Sequence, residues 1–332
     1  MKDFTLQYPE SVADAVALLP EGARGWVAAD ARLLAGGQDL LGELKEHLVE
    51  PERVVNLQRV EALRAFGVSP NGDARLGALT TVAEIERSPL LRANFTALCE
   101  AAESVASPQI RTRATLGGNL NQRPRCWYYR NEGTVCLKKG GTECFSYDGM
   151  NKFNAILGGG PSYIVHPSDL APALIALDAR AQLAGPEGER ELALDDFYTL
   201  PTEGDVTRET VLRPDELLVR VTLPERRGWR STYLKFQEKE SFDWALSAVA
   251  LAVRMENERI AEARLVLGGV APRPWRCTST EELLQGRALD DETGLLAAED
   301  ALRGAEPLSM NEYKIPLTKA LVRRALRKLA EG

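Results

Sequence analysis

The hydrophobic and polar positions of the first sixty residues follow a repeating order of short apolar runs and amphipathic stretches. Three apolar runs predict short strands at residues 3–6, 32–35 and 53–57. Between them, Ser11 is placed as the N-cap of a helix that runs to Leu19, and the stretch LLGELKEHL predicts a second helix. A β-α-β-α-β order is typical of an α/β unit. It places Gly36 and Gly37 between the end of a strand and the start of a helix.

Helical and strand periodicities continue through the middle of the chain. Thr81 and Glu84 have the spacing of a capping box, and apolar residues at three- or four-residue steps over 91–106 predict one further helix. Asp169 opens another hydrophobic helix. Two alternating segments then predict strands near residues 180–184 and 216–223.

The pattern of predicted elements changes after a predicted linker at residues 226–228. The stretches STYLKFQ, SAVALAV and ARLVLGGV predict three antiparallel strands, and two helices are predicted to close the chain. We therefore predict an α+β protein with two α/β subdomains, at residues 1–58 and 59–225, and a smaller C-terminal α+β domain at residues 226–332. An insertion that contains cysteines is predicted at about residues 121–160.

Composition and charge narrow the classes of function. The 332 residues are 44% hydrophobic and carry a net charge of −7, which disfavours nonspecific binding to nucleic acid. We find no apolar run that resembles a membrane span or a secretory signal, so we expect a cytoplasmic protein that binds no membrane. Only two histidines, His47 and His166, are present, which argues against a histidine-rich zinc hydrolase.

Two glycine pairs are candidates for binding phosphate. The sequence Ala35-Gly36-Gly37-Gln38 offers backbone N–H groups without side-chain obstruction at the start of a predicted helix, and Thr115-Leu116-Gly117-Gly118-Asn119 is a similar glycine pair. A diphosphate could be held between them. Alternatively, each pair is only a turn that needs positive φ. Neither matches a P-loop or the GxGxxG fingerprint.

Three cysteines form the second candidate site. Cys126, Cys136 and Cys144 lie in an irregular stretch that carries five cations, namely Arg123, Arg125, Arg130, Lys138 and Lys139. Positive charge stabilises thiolates and anionic iron–sulfur clusters, so a cluster is our first interpretation. Two alternatives remain open: zinc held by the three cysteines and His166, and a basic docking patch with incidental thiols.

Taken in order, five motifs resemble the flavin-binding subunit of the molybdenum hydroxylases, a family that includes xanthine dehydrogenases, aldehyde oxidoreductases and carbon monoxide dehydrogenase. These motifs are AGGQDLL, TLGGNL, HPSDLAPALIALDA, YLKFQEKESFDWALSAVAL and GGVAPRPW. The resemblance implies a FAD-binding domain of the vanillyl-alcohol-oxidase (PCMH) type. It implies that Asp169 contacts the adenosine part and that Lys235 lies near the flavin. It also implies that the diphosphate and ribityl chain are held by Arg32, Leu33, Leu34, Ala35, Gly36, Gly37, Gln38, Asp39, Ala114, Thr115, Gly117, Gly118 and Asn119.

The insertion resembles that of the flavin subunits of bacterial aldehyde oxidoreductase and 4-hydroxybenzoyl-CoA reductase, which carry a [4Fe–4S] cluster there. The fourth cysteine of those relatives stands seven residues before the Asp of the Ser-Asp pair, and here that position is Ser162. Serine oxygen is a poorer ligand for iron than sulfur. The resemblance therefore leaves three possibilities: serine ligation, a three-iron cluster, or no cluster.

The resemblance implies an electron-transfer subunit. Such a chain would pass electrons through FAD, between the molybdenum cofactor of a large partner, the [2Fe–2S] centres of a small partner and a small-molecule acceptor. No side chain of this chain need act as an acid or base. The alternatives are a free-standing FAD-dependent oxidoreductase and a zinc-stabilised interaction module. Export to the periplasm with a signal-bearing partner is the alternative to a cytoplasmic location.

Overall fold

A small parallel sheet forms the N-terminal unit. The computed structural model describes residues 1–20 and 30–331. The three strands pair in the order β1-β3-β2, with β1 at Thr5–Gln7, β2 at Ala31–Leu34 and β3 at Arg53–Asn56. Helices α1 (Val12–Ala17) and α2 (Leu40–Lys45) connect to these strands, and Ser11 caps α1 as predicted. The first predicted glycine pair thus lies between β2 and α2.

An antiparallel sheet of five strands forms the second unit. Its strands pair in the order β4-β5-β8-β6-β7, with bounds Phe66–Val68, Ala74–Gly77, Arg180–Gly185, Gly188–Ala193 and Leu217–Leu223 for β4 to β8. Six helices accompany it: α3 Val82–Arg87, α4 Pro89–Asn94, α5 Thr96–Glu103, α6 Pro108–Arg111, α7 Leu116–Leu120 and α8 Leu170–Ala176. The second glycine pair lies within α7, which Thr115 caps.

One predicted helix of this unit is divided in two. We predicted a continuous helix over 91–106, but Phe95 leaves the helical conformation (φ −137°, ψ 57°) and separates α4 from α5. The Phe95 side chain is fully buried, so the predicted apolar face is right although the helix is interrupted. Hydrophobic periodicity reports which positions are buried, and a single break in the backbone leaves that pattern intact.

The C-terminal unit contains four strands, where three were predicted. The order is β12-β11-β10-β9, with β9 at Trp229–Phe236, β10 at Ser247–Glu256, β11 at Arg259–Gly268 and β12 at Trp275–Arg276. The fourth strand has only two residues, which is too short to produce an alternating pattern. The helices are α9 (Thr278–Leu284), α10 (Asp291–Ala301) and α11 (Lys314–Glu331), one more than predicted.

Strand β10 joins the second and C-terminal units. Ala248 and Ala250 pack into the core of the second unit, whereas Val249, Leu251 and Val253 pack into the core under α9–α11. Successive side chains of a strand point to opposite faces, so β10 serves both cores. Within the described part of the chain, no helix is long and apolar enough to span a bilayer.

Candidate functional site

One cavity brings the two glycine segments together. It has a volume of about 360 Å³, within the range of about 300–1,000 Å³ that is usual for ligand sites. Of the residues predicted to contact a cofactor, those that line it are Arg32, Leu33, Ala35, Gly36, Gly37, Gln38, Asp39, Ala114, Thr115, Gly117, Gly118, Asn119 and Asp169.

The two segments touch each other through backbone atoms. A Cβ atom on Gly36 would lie 2.0 Å from the carbonyl oxygen of Arg113, directly before the second segment. The N–H of Gly117 donates to the carbonyl of Ala78 (2.8 Å), and the N–H of Gly118 donates to the Thr115 hydroxyl (3.2 Å). Gly37 has φ +76°, which favours glycine. Close approach of the two segments therefore requires Gly36, and turn geometry requires Gly37.

Two of the predicted residues lie outside the cavity lining, although the structure describes both. Leu34 ends β2, and Lys235 lies behind Asp169. The Lys235 ammonium contacts the Asp169 carboxylate at 2.9 Å and also donates to the carbonyls of Ser104 (3.0 Å) and Asp243 (2.9 Å). The Tyr233 hydroxyl donates to the other Asp169 oxygen (2.8 Å). Lys235 therefore holds Asp169 at the cavity wall.

Asp39 fastens the first glycine segment to the cysteine-containing insertion. One carboxylate oxygen accepts from Arg130 (2.7 Å) and pairs with Arg125 (2.8 Å). The other oxygen accepts from the backbone N–H of Arg123 (2.6 Å). Both oxygens are thus occupied within the protein. Asp39 consequently shapes the cavity and does not present a bare negative charge to an anionic ligand.

Positive charge reaches the cavity from both sides. Arg32, Arg123 and Arg125 line it. Burial lowers the pKa of Arg32 to about 10, so this guanidinium is still charged at neutral pH. Burial opposes the charge of Arg123 as well, but Glu209 beside it raises the pKa of Arg123 above its ordinary value. The arginine side of the cavity is therefore suited to an anion such as a diphosphate, whereas Glu43 and Asp243 also bring carboxylates to the lining.

A loop of the C-terminal unit completes the cavity wall, and the sequence analysis did not assign it to the site. Phe242, Asp243 and Trp244 line the cavity, and the Arg125 guanidinium lies over the Trp244 ring at 4.8 Å from its centroid. Phe242 and Trp244 are 63% and 45% exposed. The motif YLKFQEKESFDWALSAVAL contains these three residues, so the family resemblance and the large aromatic residues between two strands could both have marked this loop.

The three cysteines of the insertion line a second, smaller cavity. Cys126, Cys136 and Cys144 share it with Ser146 and Ser162, and Ser162 is 1% exposed. The position that differs from the relatives' fourth cysteine thus faces the same space as the three thiols.

Backbone N–H groups point at all three sulfur atoms. Burial raises the pKa of the Cys126 thiol, and the N–H groups of Tyr129 and Tyr128 oppose that shift. Burial likewise raises the pKa of the Cys136 thiol against the N–H groups of Lys139 and Lys138. The N–H of Tyr163 donates to Cys144 Sγ at 3.5 Å. Such donors stabilise thiolates and sulfur-ligated clusters.

His166 is placed elsewhere, which weakens the zinc interpretation. Its ring packs edge-on against Tyr198, and its Nδ1 lies 3.4 Å from the Ser168 N–H. Burial lowers the pKa of His166 to about 4. Within residues 1–20 and 30–331, no three His, Cys, Asp or Glu side chains form a group that could hold one metal ion. Sulfur ligands of a single zinc stand about 3.8 Å apart, whereas each thiolate of a cluster can bind a different iron.

Comparison with known proteins identifies the family. Residues 2–226 match the family model described as FAD binding domain in molybdopterin dehydrogenase. The chain belongs to this family. Residues 231–329 match the CO dehydrogenase flavoprotein C-terminal domain. The chain is therefore a FAD-binding subunit of the molybdenum hydroxylase family, as the resemblance predicted.

Individual relatives are similar to this protein over nearly the whole length of both chains. The aldehyde oxidoreductase FAD-binding subunit PaoB of Escherichia coli strain K12 is 33% identical, over 96% of this chain and 96% of its own. The carbon monoxide dehydrogenase medium chain of Hydrogenophaga pseudoflava is 29% identical, over 97% and 96%. The reconstituted CO dehydrogenase structure from Oligotropha carboxidovorans superposes with a TM-score of 0.77 at 27% identity, over 99% and 98% of the two chains.

Proposed function

We propose that the cavity between the two glycine segments holds FAD and that this subunit passes electrons between redox centres on partner subunits and an external acceptor. The observation that carries this proposal is the lining of a single cavity by residues 35–39, by Ala114 and Thr115, and by residues 117–119. The bound flavin would supply the redox chemistry, and the protein would bind it, orient it and tune it.

Each part of the lining has a distinct role in this proposal. The amides of residues 36–38, together with Arg32 and Arg123, would hold the diphosphate. The second glycine segment, whose Gly117 and Gly118 amides already donate within the protein, would pack against the diphosphate and ribityl chain. Asp169, fixed by Lys235 and Tyr233, would contact the adenosine part. The relatives are named as subunits and medium chains of larger enzymes, so we propose a molybdenum-containing large partner and an iron–sulfur small partner. We also propose that subdomains 1–58 and 59–225 form most of the flavin site and that the loop of residues 242–244 completes its wall.

The test is purification of the native complex. We expect one FAD for each copy of this chain, and we expect large and small companion chains to co-purify. A colourless protein that does not take up added FAD would contradict the proposed site. Turnover by the isolated chain would instead favour a free-standing oxidoreductase. We propose a cytoplasmic location because the five described cysteines are free thiols, and cell fractionation tests it against export with a partner.

We further propose that the second cavity holds an iron–sulfur cluster bound by Cys126, Cys136 and Cys144. The convergence of three thiols with Ser162, the amide donors to each sulfur and the charge of Lys139 near Cys136 support this assignment. Ser162 is the candidate fourth ligand, and a three-iron cluster is the alternative.

Iron and sulfide analysis of anaerobically purified protein tests the cluster proposal. We expect Cys136→Ser to lose iron and to retain FAD. Cys277→Ser is the matched control, because Cys277 is buried in the C-terminal core and contacts the carbonyls of Trp275 and Ala301. A wild-type protein without iron, or with one zinc in its place, would rule the cluster out.

A further inference from the structure

The flavin cavity and the cysteine cavity share one wall. Glu43 and Arg123 line the flavin cavity, whereas Tyr129 and Lys138 line the cysteine cavity. Tyr129 is 3% exposed. It therefore lies between the two spaces and not on the surface of the protein.

Tyr129 contacts functional groups on both sides of that wall. Its hydroxyl accepts from Arg123 Nε and donates to Glu43 Oε1, at 3.0 Å in each case. Its ring packs with Leu48 and Cys136 in a small buried cluster, and Cys126 packs against that cluster. The side chain thus links two groups of the flavin cavity to two of the three thiols.

The charges around Tyr129 are tightly organised. Arg123 pairs with Glu209, and Glu209 also pairs with Lys138 at 2.7 Å. Burial, reinforced by the charge of Asp39, raises the pKa of Glu43. Close-packed interiors transmit small displacements because they have few voids to absorb them. An anion in the flavin cavity attracts the Arg123 guanidinium. We expect any resulting displacement of Arg123 to be transmitted to Tyr129 and to the thiols that pack against it.

We propose that Tyr129 is a positioning residue that couples the two cavities, so that FAD binding changes the accessibility of Cys126 and Cys136. This inference rests on the proposal that FAD occupies the first cavity. It does not require that a cluster occupies the second. Coupling of binding free energies is reciprocal, so the factor by which FAD changes the affinity of the cysteines for a ligand is also the factor by which that ligand changes the affinity for FAD.

The experiment uses the full chain after removal of iron with a chelator. The rate at which iodoacetamide modifies Cys126 and Cys136 is measured by mass spectrometry, with and without saturating FAD. In the wild type we expect FAD to slow modification by about fivefold or more, the lower end of typical coupling. In Tyr129→Phe we expect the rates with and without FAD to agree within about twofold.

Tyr128→Phe is the matched control. This neighbouring ring lines the same cysteine cavity, but its hydroxyl accepts from the Met150 N–H (2.8 Å) and not from a group of the flavin cavity. We expect Tyr128→Phe to keep the effect of FAD. A residue with a merely structural role would change the rates with and without FAD alike, so the ratio of the two rates isolates coupling.

The possible results separate this inference from the proposed function. If bound FAD leaves the thiol rates unchanged in the wild type, or protects the thiols equally in Tyr129→Phe, the coupling is refuted while the flavin site stands. Failure of the wild type to bind FAD overturns both. If Tyr129→Phe does not fold, Glu43→Gln is the second variant, because it changes the group on the flavin side of the wall that accepts from the Tyr129 hydroxyl. If FAD slows thiol modification in Glu43→Gln as much as in the wild type, the inference is refuted.

Discussion

Replacing Gly36 by alanine tests the contact on which the flavin cavity depends. The new Cβ atom would lie 2.0 Å from the Arg113 carbonyl oxygen, 2.9 Å from the Arg113 carbonyl carbon and 3.2 Å from the Ala114 Cα atom. All three are backbone atoms, so no side chain can rotate away. To bring the shortest distance to 3.0 Å, the two segments must separate by about 1 Å.

Inserting an extra methyl group into closely packed structure usually destabilises that structure by about 1–3 kcal/mol. If the separated segments grip FAD less well by that amount, the dissociation constant rises by about 5- to 150-fold. Gly117→Ala should have a smaller effect, because its Cβ atom would lie 3.0 Å from Ala78 atoms. Gly304→Ala is the control, since an added Cβ atom there meets no atom within 4 Å.

Fluorescence titration of the folded apoprotein with FAD measures these dissociation constants. Thermal unfolding of each variant shows whether the apoprotein is intact. We expect the wild type and Gly304→Ala to bind FAD most tightly, Gly117→Ala to bind it less tightly and Gly36→Ala to bind it most weakly. A folded Gly36→Ala protein with the wild-type dissociation constant would refute it.

Three further predictions concern stability and metal content. Because burial lowers the pKa of His166 to about 4, below the ordinary value of 6.5, the unfolded chain takes up this proton first as the pH falls. The free energy of unfolding should therefore fall by up to about 3 kcal/mol between pH 7 and pH 4, and urea unfolding of His166→Gln should lack this component. Lys235→Met leaves the Asp169 carboxylate buried without its cation and should lower the free energy of unfolding, measured by urea denaturation, by about 3–5 kcal/mol. The double variant Lys235→Met/Asp169→Asn removes the unpaired charge and should recover part of this lost stability in the same assay. Ser162→Cys should supply a fourth thiol and raise the iron retained per chain after gel filtration, and unchanged iron content would argue against Ser162 as a ligand position.

Local patterns were enough to predict the first half of the site. The strand, glycine pair and helix around Gly36 are contiguous in sequence. In the second segment, the Thr115 side chain caps the helix by accepting from the N–H of Gly118, three positions away. Backbone conformation and capping depend on near neighbours, so such features can be predicted from a short window. Convergence of the two glycine pairs was a hypothesis from their similar composition, and the family resemblance gave the residues on each side.

Long-range contacts could not be predicted from the same patterns. Arg123 pairs with Glu209, which is 86 positions away, and Arg125 stacks on Trp244 of the C-terminal unit. A cation in a loop is compatible with many partners, and only the folded chain selects one. The five cations of the insertion were interpreted as a field around a cluster. Two of them, Arg125 and Arg130, instead pair with Asp39 at the flavin cavity, and Arg123 pairs with Glu209.

Hydrogen–deuterium exchange of the folded chain, with and without FAD, tests the central claim most directly. If one FAD is held between the two glycine segments, peptides that cover residues 35–39 and 114–119 should both become protected at the same FAD concentration. Protection of one segment alone, or of neither while FAD is bound, would contradict a shared site.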